Sequence, residues 1–82
     1  MPKHRILIID DEVSIRDMLS LALEAAGFNV LQAENAQLGH AAIIDHQPDL
    51  VLLDWMMPGT TGLELLRRLK RDELTAQIPI IM

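Results

Sequence analysis

Eighty-two residues give enough chain for one hydrophobic core and too little for two. Half of them are apolar, with one Trp, one Phe and no Tyr, so the core must be aliphatic and the chain is globular, not disordered. A formal charge of −5 argues against docking on a nucleic-acid backbone, and the absence of Cys excludes disulfides, thiolate chemistry and cysteine-held metals.

The start, Met1-Pro2-Lys3-His4-Arg5, is basic like the head of an export signal. The apolar run behind it, Ile6–Ile9, stops at two aspartates after four residues. A signal peptide needs roughly 7–15 apolar residues there and a membrane helix about 20, so a cytoplasmic chain is expected. Ile6–Ile9 instead has the length and bounding of a strand buried on both faces.

Next, Ile15, Met18, Leu19, Ala22, Leu23 and Ala26 follow helical spacing through three turns. Ser14 is placed to cap that helix, Val13 and Met18 to staple its start, and Gly27 to end it. Phe28–Ala33 reads as a weaker strand carrying Asn29 and Gln32, hence an edge. A second helix is expected from about Ala36 to His46, with Asn35 as cap, Pro48 as stop, and Ala36, Gly39, His40 and Ile43 on its inner stripe. Leu50–Leu53 is a second buried strand. After the turn signal Pro58-Gly59, a third helix runs from Gly62 to about Arg71. It buries Leu65, Leu66 and Leu69, with Thr61 and Glu64 at capping-box spacing. Ile78–Met82 closes the series. Strands alternating with helices give an α/β fold with a parallel sheet, helices on both faces and right-handed crossovers. The first and third strands, the most continuously apolar, should be central and adjacent.

In such sheets ligands sit beyond the carboxyl ends of the strands. The first strand ends in Asp10-Asp11-Glu12 and the third in Asp54. The triplet alone is equally well explained by the dipole of the helix it precedes. Asp54 has no such excuse, because a carboxylate at the mouth of a buried strand is costly without a task. Together they form an oxygen-only cluster suited to a hard cation, and Mg²⁺, which takes few carboxylates plus waters, fits.

Ile8-Ile9-Asp10-Asp11-Glu12, followed by Leu53-Asp54, Met57-Pro58-Gly59 and Gly62, resembles the receiver domain of two-component response regulators. Leu52-Leu53-Asp54-Trp55-Met56-Met57-Pro58-Gly59 is most similar to the winged-helix transcription-factor subfamily, and within it to regulators of the phosphate response. The resemblance implies a flavodoxin-like sheet of strand order 2-1-3-4. Residues 1–82 would be a partial receiver domain, without the family's last strand and last two helices, its phosphate-sensing Ser or Thr and Lys, and its DNA-binding domain. It also assigns roles. Asp54 would be the phosphoacceptor, loaded by a sensor histidine kinase. Asp10, Asp11, Asp54 and the backbone carbonyl of Met56 would hold Mg²⁺, with Asp10 acting through water. Pro58 and Gly62 would shape the loop beside the acceptor. No enzyme activity, membrane contact or direct nucleic-acid contact is expected of this segment.

The remaining polar residues have plainer readings. His4, His40 and His46 share no metal spacing; His4 should be solvated and His40 packed along its helix. Trp55 reads as a partly exposed residue near the site, and Arg67-Arg68-Lys70-Arg71 as a solvated helix face. An aspartyl-phosphate phosphatase would want a second Asp two residues after the nucleophile, where Met56 stands. The other alternative is a truncated α/β fragment acting as a structural or self-assembling module. Either way, an apolar edge at Ile78–Met82 and an uncovered first helix predict a homo-oligomer.

Overall fold

A computed structural model describes residues 4–54 and 62–82. The elements are β1 (Arg5–Ile9), α1 (Val13–Ala25), β2 (Asn29–Ala33), α2 (Ala36–His46), β3 (Leu50–Leu53), α3 (Gly62–Arg71) and β4 (Ile80–Ile81). All pairings are parallel and the sheet order is β2-β1-β3-β4. The two most apolar strands therefore lie side by side in the middle, and β2 with its Asn29 and Gln32 forms an edge, as the residues predict.

Strand alternation divides the core. Leu7, Ile9, Val51 and Leu53 pack with Ala36 and Ile43 of α2 and Leu65 and Leu69 of α3 in one buried cluster. Their neighbours point to the opposite face, which α1 covers alone among the described elements. There Ile6 and Ile8 are buried, whereas Leu50 and Leu52 are only half-buried. A cavity of about 160 Å³ opens on that face between Ile8, Leu19, Leu52, Ile81 and Met82, with Asp10 and Asp54 at its end.

Helix α1 departs from its expected packing. Its N-cap is Glu12, whose side chain makes no capping bond, so neither Ser14 as cap nor the Val13–Met18 staple forms. Both staple residues are well exposed, Val13 at 59% and Met18 at 62%. The helix begins one residue before Ser14 because the carboxylate of Asp10 already accepts the Glu12 N–H, at 2.9 Å. Nor does the apolar stripe lie flat on the sheet. Arg16, Leu19, Ser20 and Leu23 turn inward, and Ile15, Ala22 and Ala26 are left exposed. Ser20 is buried because its hydroxyl accepts the Gln32 amide of β2 at 2.7 Å. The C-terminus behaves as expected. Gly27, at φ 99°, donates to the Glu24 carbonyl while Phe28 N–H reaches Leu23, which is the Schellman arrangement that only glycine enters without strain.

The second helix keeps its expected bounds. Asn35 Oδ1 caps it by accepting from Leu38 N–H at 2.8 Å, and it ends at Gln47 in the left-handed region, one residue before Pro48. Gly39 lies against β1 so closely that a Cβ there would run into the Ile9 side chain. In α3, Leu65 and Leu69 are buried and Leu66 is half-buried, while Arg67, Arg68, Lys70 and Arg71 are exposed. Lys70 is more than a solvated charge, since its Nζ donates to the carbonyls of Ala76 and Ile78 at 3.1 and 3.4 Å. Buried Thr75 closes the same turn by donating to Leu69 O at 2.6 Å. The Ile78–Met82 run yields only the short strand Ile80–Ile81, because Pro79 has no N–H to give and joins the ladder solely as an acceptor from Val51. Thr61 and the Pro58-Gly59 turn lie outside the described residues.

Candidate functional site

Strand register builds the site. Ile9 stands level with Leu53 on one side and Ala33 on the other, so the next residues of β1 and β3, Asp10 and Asp54, emerge together at the carboxyl edge. Both are pinned by main-chain rungs, Asp10 N–H to Ala33 O at 3.1 Å and Asp54 N–H to Ile9 O at 2.9 Å. The bond from Glu12 N–H to Asp10 Oδ1 folds the chain into an Asx turn, which carries Asp11 back over the sheet edge.

One carboxylate oxygen from each of Asp10, Asp11 and Asp54 lies within 4.8 Å of the others. Asp10 and Asp54 are half-buried and Asp11 is exposed. Three carboxylates this close repel one another, and a cation between them would relieve that repulsion. The donor set is all oxygen and partly open to solvent, which fits Mg²⁺ with waters completing its shell. The residues present therefore suit the ion that the motif implies. Glu12 stays apart at the helix cap. Met56, Trp55 and Pro58 lie outside the described residues, and Gly62 is buried at the start of α3.

One set of residues near the cluster escaped sequence reasoning. Arg16 Nη1 donates to the Asp10 carbonyl at 2.6 Å, its Nε reaches Gln32 Oε1 at 3.2 Å, and Gln32 in turn holds Ser20. The available signal was Arg16 and Ser20 four apart on one face of α1, with a polar Gln32 between the apolar Leu31 and Ala33 of β2.

The other sequence candidates fall elsewhere. His4 is 76% exposed and its Nδ1 lies 3.5 Å from Asp49, His40 is half-buried along α2, and His46 is exposed at the end of α2. A larger hollow of about 510 Å³, lined by Arg5, Glu24, Phe28, Asn29 and His46 among others, sits at the opposite end of the sheet. It gathers no set of acids, so size does not make it the site.

Residues 6–82 match the response regulator receiver domain. The chain belongs to the response regulator receiver family. It is 66% identical over 77 residues to the phosphate regulon transcriptional regulatory protein PhoB of Pseudomonas aeruginosa, covering 94% of this chain and 34% of that protein. The receiver thus spans about a third of the length of that relative. The fold of a receiver protein's N-terminal domain from Methanoculleus marisnigri superposes at TM-score 0.92 and 38% identity, over 94% of this chain and 63% of that one. The response regulator TrrA of Thermotoga maritima, solved in complex with Mg²⁺ and BeF, is 36% identical at TM-score 0.82, over 85% and 61% of the two chains. The present chain is a PhoB-like receiver, and its described residues form a four-stranded parallel sheet with three helices.

Proposed function

We propose that this receiver takes a phosphoryl group on Asp54 from the phosphohistidine of a sensor kinase, with Mg²⁺ bound by Asp10, Asp11 and Asp54. The observation that carries the reading is the convergence of these three carboxylates, within 4.8 Å, at the ends of two paired strands. A carboxylate of Asp54 forms the new O–P bond as the P–N bond to the imidazole breaks, and the released imidazole nitrogen keeps the electron pair and takes a proton from water. Bound Mg²⁺ supplies charge neutralisation for the phosphoryl oxygens. The protein's own part is positioning: rungs at Asp10 and Asp54 fix the two acids, and the Asx turn delivers the third. The carbonyl of Met56 completes the proposed ligand set. That the Thermotoga relative was solved in complex with Mg²⁺ and BeF supports reading this receiver as one that takes Mg²⁺.

The resemblance to a phosphate-regulon transcriptional regulator supports a role in transcriptional response to phosphate, in the cytoplasm, with DNA reached through a region beyond these residues. No described helix is long and apolar enough to cross a membrane.

Intact-mass spectrometry tests the assignment. Incubated with acetyl phosphate and Mg²⁺, the wild type should gain one phosphoryl group, a gain prevented when the metal is chelated beforehand, and Asp54→Asn should gain none. Equal labelling of both proteins would refute the role of Asp54.

A further inference from the structure

We propose that Arg16 is a positioning residue of the acidic cluster, fixing the Asp10–Glu12 turn from beneath so that the three carboxylates can share one cation; this rests on reading the cluster as the Mg²⁺ site. The case begins with where its hydrogen bonds go. Arg16 is half-buried on α1, and its Nη1 donates at 2.6 Å to the main-chain carbonyl of Asp10, not to a carboxylate. That bond occupies the carbonyl of the residue that follows β1, and it consumes none of the negative charge a cation needs.

The guanidinium is itself held. Its Nε donates to Gln32 Oε1 at 3.2 Å, and Gln32 Nε2 donates to the buried Ser20 hydroxyl at 2.7 Å. The chain Ser20–Gln32–Arg16–Asp10 therefore runs from the interior of the α1–sheet interface to the base of the site. Asp10 is gripped at three atoms: its N–H by Ala33 O, its carbonyl by Arg16, and its Oδ1 by Glu12 N–H. The planar guanidinium fork holds Nε and Nη1 in a fixed geometry and reaches the two acceptors from separate nitrogens, which the single, freely rotating nitrogen of a Lys ammonium does not reproduce.

Charge and position make opposite forecasts, which is what renders the role testable. A cation beside three carboxylates opposes Mg²⁺ by Coulomb repulsion, so removing it as a mere charge would tighten binding. Removing a group that orients the ligands loosens it, typically 10–100-fold for groups behind a metal's ligands. We expect Arg16→Ala to bind Mg²⁺ about 10-fold more weakly, as followed by titration calorimetry on the folded protein. Arg16→Lys should not restore affinity, because it returns the charge without the fork. Gln32→Ala, which leaves the guanidinium in place but unheld, should weaken binding in the same direction by a smaller factor, and it decides the matter if Arg16→Ala does not fold. Affinity unchanged or tightened in Arg16→Ala, or in Gln32→Ala where that variant decides, overturns the role while the site survives. A wild type that binds no Mg²⁺ overturns the site itself, and Arg16's role with it.

Discussion

Asp49 ties the starts of β1 and β3 together at the end of the sheet remote from the acids. Its Oδ2 accepts Arg5 N–H at 2.8 Å, its own N–H donates to Arg5 O at 2.8 Å, and His4 Nδ1 lies 3.5 Å away. The Arg5 N–H, with help from His4, holds the Asp49 carboxyl below its ordinary value of 3.8. Because the folded value is the lower one, the carboxylate stabilises the fold above that ordinary value, and the contribution is lost as pH falls through the depressed folded value. Asp49→Asn should therefore melt below wild type near neutral pH, with the gap closing in acid once the pH has fallen through the depressed folded value. A gap of the same size at pH 7 and in strong acid would dismiss the ionised form as the source. The group is exposed, so the effect should be small.

Between elements, α2 comes close against β1 at Gly39. Helix propensity alone makes Gly39→Ala favourable by about 1 kcal/mol. The Ile9 side chain in the way reverses the sign, since crowding a packed core costs about 1–3 kcal/mol. We expect net destabilisation in urea unfolding, partly relieved by adding Ile9→Val, which removes the Cδ1 atom nearest the new methyl. Purely additive effects would show that the two residues do not compete for space. The same scale shows what the amino-acid order made legible. Short aliphatic runs between turn residues located β1 and β3, and once those were paired Asp10 and Asp54 had to meet. Helical spacing located α1 but not its orientation. Hydrophobic periodicity assumes that the face turned to the sheet is wholly apolar, whereas here a serine shares it with Leu19 and Leu23, drawn in by Gln32 of β2. Arg16 was illegible for a related reason: its partner is a main-chain carbonyl, and carbonyls leave no trace in residue identity. Thr75 on Leu69 O is the same case.

At the scale of the whole molecule, β4 has β3 as its one strand partner among the described residues, and Ile81 on it is 55% exposed. One turn before Leu19, which shares a cavity with Ile81, Ile15 is exposed on the same side of α1. Unpaired apolar edges recruit other strands, so we expect association with a second copy through this face. Sedimentation at micromolar concentration should show a dimer or larger species that Ile81→Glu weakens and Gln77→Glu does not; a compact wild-type monomer would sink the idea. Ile81 is a better probe than Ile80, which also packs against the core. The parallel order of the sheet has a further consequence, for time instead of structure. No two of its strands are joined by a hairpin, and the contact that completes the centre links Arg5 to Asp49, 44 residues apart. Closing a loop of that length costs about 3 kcal/mol of chain entropy before any contact repays it. Folding must wait for that search. Until β1 finds β3, Asp10 and Asp54 are two unrelated residues on a wandering chain, and no cation can tell them from any other pair of acids.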